Sequence, residues 1–368
     1  MRYYIIAGER SGDLHAANLL GALKTFDSNP LFRGMGGNYM EKEGCVLSYH
    51  YQEIALMGFL EVLFHFRRVL KYLGMVKKDL VDFKPDGLIL VDFGGFNLKM
   101  ARFAKKHQIP VHYYIAPKVW AWNQSRALKL KENVDQLYTI LPFEKDFFKK
   151  FDWQVDYVGN PLLDEIKKFI PDPGFLNTHG LGKRPIVALL PGSRVQEVQK
   201  MLATMVDLRR YFLEVDFVVA GVENLPSKIY EKARSAGLKL VFNGTYDLLF
   251  HARAAIVTSG TATLETALFK VPQVVVYRTS AVSYQIARHL IKVPFISLVN
   301  LVAEREVVKE LIQATYNKEA VMEELRRLLK DGENRNAILR GYERLIEKIG
   351  QKKASQETAR LIYQSLIS

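Results

Sequence analysis

Short runs of consecutive apolar residues recur along this chain, each closed by a glycine or polar turn and followed by residues of helical period. Tyr3 to Ala7, Leu31 to Gly37, Gly87 to Val91, Val111 to Ile115, Asp135 to Ile140 and Val155 to Val158 make a first series. Ile186 to Leu190, Asp216 to Ala220, Leu238 to Phe242, Ala254 to Thr258 and Gln273 to Tyr277 make a second. Runs apolar at nearly every position suit strands buried on both faces, and strands alternating with helices form parallel sheets. Between the two series, Gly159-Asn160-Pro161 and Ile170-Pro171-Asp172-Pro173-Gly174 break the pattern, as a domain boundary does. From Glu304 onward the pattern is helical, and Ser355 to Ile367 reads as one amphipathic helix.

One segment departs from this alternation. From Ile54 to Lys71, apolar residues fall at almost every helical angle instead of on one stripe, and Arg67, Arg68 and Lys71 close it. A helix apolar all round is either buried or in contact with lipid, and neighbouring bases suit an anionic surface. Both readings stand at this point.

Length and composition narrow the class. At 368 residues the chain makes two domains or one unusually large one. The excess of 52 Lys and Arg over 39 Asp and Glu attracts anions. No nucleic-acid-binding motif accompanies it, so phosphorylated metabolites or an acidic membrane fit better. Cys45 is the only cysteine, which removes disulfide frameworks and multi-cysteine metal sites. Neither HExxH nor Asp-x-Asp nor a histidine cluster occurs, so no metal is expected. No basic-then-apolar leader precedes Tyr3, and no run reaches the length of a membrane span, so a soluble or surface-bound protein is expected.

The candidate chemistry lies where apolar runs end. Leu190-Pro191-Gly192-Ser193-Arg194 and Ser259-Gly260-Thr261-Ala262-Thr263-Leu264-Glu265 each follow a run and open a helix. The free N–H groups and positive dipole end of a helix's first turn hold anions there. Two such turns suggest one ligand with a diphosphate and a group attached to it. Arg194 can reach the same phosphate with a planar fork, Ser259 and Thr261 add donors, and Glu265 can accept from ribose hydroxyls. In the first half, Gly8-Glu9-Arg10-Ser11-Gly12-Asp13 follows the first run without GxGxxG spacing, which speaks against a dinucleotide. It is either a tight turn with Asp13 near the cap or the lining of a site. Asp92 follows Gly87 to Val91 and is a candidate general base or a loop acid. Trp120 and Trp122 follow Val111 to Ile115, as packing or as a substrate wall.

Seven stretches in one order resemble the lipid-A-disaccharide synthase family. They are Gly8-Glu9-x-Ser11-Gly12-Asp13, Met57-Gly58-Phe59-x-Glu61-Val62, Pro117-x-Val119-Trp120-Ala121-Trp122, Leu141-Pro142-Phe143-Glu144, the two turns above, and Ser297-Leu298-x-Asn300-Leu301. The resemblance spans roughly residues 1 to 310. It implies an α/β fold of the GT-B type, two Rossmann-like domains facing across a cleft, with the last helix crossing back to the first domain. The expected acceptor and lipid domain is 1–170 with about 350–368, and the UDP-sugar domain is 171–349. The implied reaction is inverting: UDP-2,3-diacylglucosamine and 2,3-diacylglucosamine 1-phosphate (lipid X) give β(1→6) lipid A disaccharide 1-phosphate and UDP, with no cofactor.

Carried onto this chain, the resemblance makes Asp92 catalytic and assigns UDP to Gly192, Ser193, Arg194, Ser259, Gly260, Thr261 and Glu265. It places Gly8, Glu9, Ser11, Gly12, Asp13, Asn97 and Asn300 around the acceptor. It gives weight to lipid contact by Met57, Phe59, Leu60, Leu63, Phe64, Arg67, Arg68 and Lys71, since both substrates carry acyl chains. A cytoplasmic enzyme peripheral to the inner membrane is expected, with a homodimer open. Many family members read Asp-x-Pro-Asp-Phe-Asn where this chain has Asp92-Phe93-Gly94-Gly95-Phe96-Asn97, so the second acid is missing and Asp92 stands alone. Arg10 replaces a residue that is commonly small. The rival readings are a UDP-GlcNAc 2-epimerase-like isomerase and a non-catalytic nucleotide-sugar-binding protein.

Overall fold

The computed structural model describes residues 1–55 and 62–368. The chain divides into two compact units, Met1–Pro161 with Gln351–Ser368, and Leu162–Gly350. The division falls at the earlier of the two turn clusters, so the helix Pro161–Lys168 goes almost wholly with the second unit.

The first unit holds a seven-stranded sheet. Its strands are β1 (Arg2–Ala7), β2 (Leu31–Gly36), β3 (Val46–His50), β4 (Gly87–Val91), β5 (Val111–Tyr114), β6 (Gln136–Thr139) and β7 (Asp156–Tyr157). They lie in the order β3-β2-β1-β4-β5-β6-β7, all pairs parallel. The second unit holds β8 (Ile186–Leu190), β9 (Asp216–Gly221), β10 (Lys239–Phe242), β11 (Ala252–Thr258), β12 (Gln273–Tyr277) and β13 (Glu310–Ile312). Their order is β10-β9-β8-β11-β12-β13, again parallel throughout.

Central strands β4 and β8 are buried at every residue. That is why they read as unbroken apolar runs: helices cover both faces of the sheet. Two edge strands escape the sequence pattern. β3 is only partly buried, and β13 is three residues long inside a stretch expected to be helical. Edge position removes the demand for apolar residues on both faces, and with it the signal.

The terminal helix Ala354–Ile367 belongs to the first unit. Ala359 and Ile362 are fully buried with Leu19, Leu20 and Leu23 of the helix Arg10–Leu23, and Phe26 stacks on Tyr363. Among the described residues no helix is long and apolar enough to cross a membrane.

Candidate active site and nucleotide-binding turns

Each sheet reverses its strand order once. In the first, chain order runs outward in opposite directions from β1 and β4; in the second, from β8 and β11. A ligand site in an open α/β sheet forms at the carboxyl ends of the strands at such a reversal, because the connections diverge there and leave a crevice. The residues leaving β1 and β4 are Gly8 to Asp13 and Asp92; those leaving β8 and β11 are Pro191 to Arg194 and Ser259 to Thr261. Sequence motifs and sheet topology therefore converge on the same four turns.

Asp92 and Phe93 leave β4 with φ of 47° and 50°. Left-handed backbone at two successive non-glycine residues costs about 1–3 kcal/mol each, so the turn must be held. Tyr113 Oη donates to the Asp92 carbonyl at 2.6 Å and Asn97 Nδ2 at 2.8 Å. The Asp92 N–H donates to the Tyr114 carbonyl at 3.1 Å. Asn97 is fully buried and its Nδ2 is turned to the backbone of the turn, so it supports Asp92. The Phe93 ring lies against Gly8, where a Cβ would come within 2.1 Å of it. Glycine at position 8 is thus set by this ring.

The Asp92 carboxyl is pushed up from 3.8 to about 6. Burial is the main cause and the charge of Glu9 adds to it; Lys118 and the Phe93 N–H act in the opposite sense. A half-buried carboxyl titrating near 6 is a usable base near neutral pH. Glu9 itself is exposed and accepts from Ser11 Oγ at 2.7 Å.

The helix after β1 starts at Arg10, so Ser11, Gly12 and Asp13 are already helical. Asp13 corrects its expected placement among acceptor-facing residues. It is buried, and its carboxylate accepts the N–H groups of Gly37, Tyr39 and Met40 at 2.8–3.1 Å. It thereby caps the short helix Asn38–Lys42 from outside. Gly12 lies against the sheet, where a Cβ would make only ordinary contact with Ala7 Cβ at 3.6 Å and the Val91 carbonyl at 3.8 Å.

Lys118 acts electrostatically on both Asp92 and Glu144, favouring the ionised form of each, a link that the separate stretches of sequence do not display. Glu144 is buried in the first turn of the helix Phe143–Lys149, and burial pushes its carboxyl up to about 7. It accepts from the Leu141 and Ile140 N–H groups at 2.9 and 3.1 Å and from the Trp120 indole at 3.0 Å. Trp120 is therefore a packing residue, buried and edge-on to Phe143.

In the second unit, Gly192 has φ 113°, and a Cβ would lie 2.8 Å from Glu197. The helix Val195–Asp207 follows, with no side-chain cap. Glu197 reaches back across its first turn. It accepts the Ser193 N–H at 3.2 Å and Arg194 Nη1 at 2.9 Å. Arg194 otherwise projects into solvent, its side chain 81% exposed. An acid three residues after the arginine thus occupies the donors that an anion would use, and the Arg194-x-x-Glu197 spacing is its mark in the sequence.

Across the reversal, Ser259 Oγ donates to the Ile296 carbonyl at 2.7 Å, and its N–H donates to the Val276 carbonyl. Ser259 thus shapes the turn. Thr261 opens the helix Thr261–Leu268, whose first turn also lacks a side-chain cap. Glu265 sits one turn in and accepts from Tyr246 Oη at 3.2 Å; burial raises its carboxyl.

Asn300 is a second correction. It is fully buried; its Nδ2 donates to the Val308 carbonyl and to Glu310, and its Oδ1 accepts the Val307 and Val308 N–H groups. The amide is fully engaged in pinning the helix Leu298–Ala303 to the loop that follows it and to β13. Of the residues read as lipid contacts, Met57, Phe59 and Leu60 lie outside the described residues. Leu63, Phe64 and Arg67 fall in the helix Val62–Phe83. On the same helix Lys71 is exposed, and the Arg68 guanidinium lies over the Tyr72 ring. Among the described residues no cluster of His, Cys, Asp or Glu could hold a metal ion.

Comparison with known proteins adds the family. The family model described as lipid-A-disaccharide synthetase matches residues 3–364. The lipid-A-disaccharide synthase of Syntrophus aciditrophicus is 41% identical over 86% of this chain and 85% of its own length. That of Geobacter metallireducens is 34% identical over 99% of this chain and 97% of its own. Solved structures share the fold at low identity. A UDP-GlcNAc 2-epimerase from Neisseria meningitidis, bound to UDP-GlcNAc, aligns with a TM-score of 0.63, 11% identity and full coverage of both chains. The glycotransferase of kitacinnamycin aligns with a TM-score of 0.68, 11% identity and 99% of each chain. Likeness at that identity is likeness of fold, so it does not favour an epimerase. The sheets, their reversals and the family match together make this chain a member of the lipid-A-disaccharide synthetase family, UDP-sugar-dependent glycosyltransferases of the GT-B type that act in lipid A synthesis.

Proposed function

We propose that this chain transfers 2,3-diacylglucosamine from UDP to the 6-hydroxyl of lipid X, with Asp92 as the general base. The hydroxyl oxygen attacks the anomeric carbon from the side opposite UDP. One C–O bond forms as the bond to the diphosphate breaks, and UDP leaves with the electron pair. The hydroxyl proton passes to Asp92. The observation that carries this reading is the Asp92 carboxyl at the reversal of the first sheet, held on a left-handed turn and pushed up to about 6. Lys118 favours the ionised form of Asp92 against the effect of burial.

UDP belongs with the second unit in this reading. The backbone of Gly192 and Ser193 and the first turn of the helix Thr261–Leu268 receive the diphosphate, Arg194 neutralises it, and Glu265 takes the ribose. No metal is required, because helix ends and an arginine supply the positive charge. The basic end of the segment 54–71 would bring the enzyme to an anionic membrane that presents both substrates.

The test is a detergent assay with UDP-2,3-diacylglucosamine, with and without lipid X, on wild type and Asp92→Asn. UDP release that needs lipid X, together with a disaccharide phosphate, is the expected result. The variant should lose about 10²–10⁴-fold in turnover while binding UDP as tightly. Equal turnover would remove Asp92 from the chemistry, and UDP release without lipid X would remove the transferase.

A further inference from the structure

The helix Ala281–Leu290 follows β12 at the carboxyl edge of the second sheet and has no buried residue. Its start is well encoded: Ser280 caps it, accepting the Ser283 N–H at 3.1 Å. Yet ten residues of helix are marginal in water without a packed face. Val282, Ile286 and Leu290 recur at i, i+4 and i+8, the spacing that puts side chains on one stripe. They are 71%, 56% and 46% exposed, and Ile291 beyond them is 40% exposed.

The charge around this stripe is one-sided. No Asp or Glu occurs between Glu265 and Glu304, whereas Lys270, Arg278, Arg288 and Lys292 do. Arg288 and Lys292 flank the end of the stripe and are exposed. An unburied apolar stripe bordered by bases, in an acid-free stretch of a chain that carries 39 acids elsewhere, is complementary to a negatively charged bilayer surface.

We infer that the helix Ala281–Leu290 is a membrane-docking element of the second unit, lying on an anionic bilayer with Val282, Ile286 and Leu290 entering the headgroup boundary. Arg288 and Lys292 pair with lipid phosphates. The inference rests on the reading that the enzyme works on lipid-borne substrates, and it adds a contact separate from the segment 54–71. A UDP-sugar site in the same unit would then be held near the surface from which its acylated donor comes.

The experiment is co-sedimentation of the full chain with vesicles of phosphatidylethanolamine and phosphatidylglycerol. The variants are Val282→Ser/Ile286→Ser/Leu290→Ser, Arg288→Glu/Lys292→Glu and, as the leucine-retaining control, Val282→Leu/Ile286→Leu. All sites are exposed, and UDP affinity with the melting temperature reports that the fold is kept. Vesicle partitioning is expected to fall at least about tenfold in the first two variants and to hold in the third. Unchanged partitioning in the serine variant overturns the inference. A drop in oligomer mass by sedimentation, with partitioning unchanged, overturns it in favour of a second copy of the chain on this face. Disaccharide synthesis from detergent-dispersed substrates is measured in parallel; if it fails in wild type, the functional reading has failed, whereas its persistence with unchanged partitioning removes the docking helix alone.

Discussion

Asp92 is held in a state that favours its protonated form, and this has two consequences of opposite sign. A base must be ionised, so kcat/KM should fall as pH drops through about 6, the pH to which its carboxyl is raised. Asp92→Asn should abolish that limb of the profile; its survival in the variant would assign it to another group. Stability runs the other way. A carboxyl raised in the folded state stabilises the fold most below its unfolded value, and that contribution is lost as pH rises from about 4 towards 6. A rise from 3.8 to about 6 corresponds to about 3 kcal/mol as an upper figure, at 1.36 kcal/mol per unit. Asparagine tolerates the left-handed backbone as well as aspartate does. Asp92→Asn should therefore melt higher than wild type at pH 7, with the gap closing at acid pH. A lower melting temperature at pH 7 would mean that the carboxylate stabilises the turn.

At the scale of the element, the start of the helix Val195–Asp207 has two possible occupants for one set of donors. Glu197 takes the Ser193 N–H and the Arg194 guanidinium, and a diphosphate would have to displace it. An exposed ion pair of this kind is worth about 0–1 kcal/mol. Glu197→Gln should therefore tighten UDP binding by up to about fivefold in calorimetry; weaker binding would show that Glu197 positions Arg194. Gly192→Ala meets both a φ of 113° and the Glu197 side chain. The left-handed backbone alone costs about 1–2 kcal/mol, so this variant should lose UDP affinity about tenfold or more. Both effects belong to the turn as a unit, since its backbone supplies the donors.

At the scale of the whole chain, the terminal helix closes the first unit although it follows the second in sequence. Ala359 and Ile362 are fully buried in the core that β1 and the helix Arg10–Leu23 share. Truncation before Gln351 should uncover that core, lower the melting temperature and lose synthesis, while UDP affinity of the second unit survives. A truncated chain that keeps full thermal stability would contradict this. Loss of one buried isoleucine side chain typically costs about 2–5 kcal/mol, so removing Ile362 with the rest of its helix is severe.

The apolar runs and the turns after them were enough to give two parallel α/β sheets, the four turns at their strand-order reversals and, through seven ordered motifs, the family that the comparisons then established. They were enough because a strand buried on both faces must be apolar throughout and its exit must be small or polar, so both leave local marks. Edge strands β3 and β13 left none, being unburied on one side. Nor did the sequence tell a polar residue that serves a ligand from one that serves the fold. Asp13 and Asn300 carry the right chemistry for a site, yet one caps a helix and the other pins a loop. Only tertiary structure could decide this, because it depends on which N–H groups distant segments bring within 3 Å. The same holds for Asp92: its identity is written in the chain, but its elevated pKa comes from burial and from Glu9, with Lys118 opposing them, all set beside it by strands far apart in sequence.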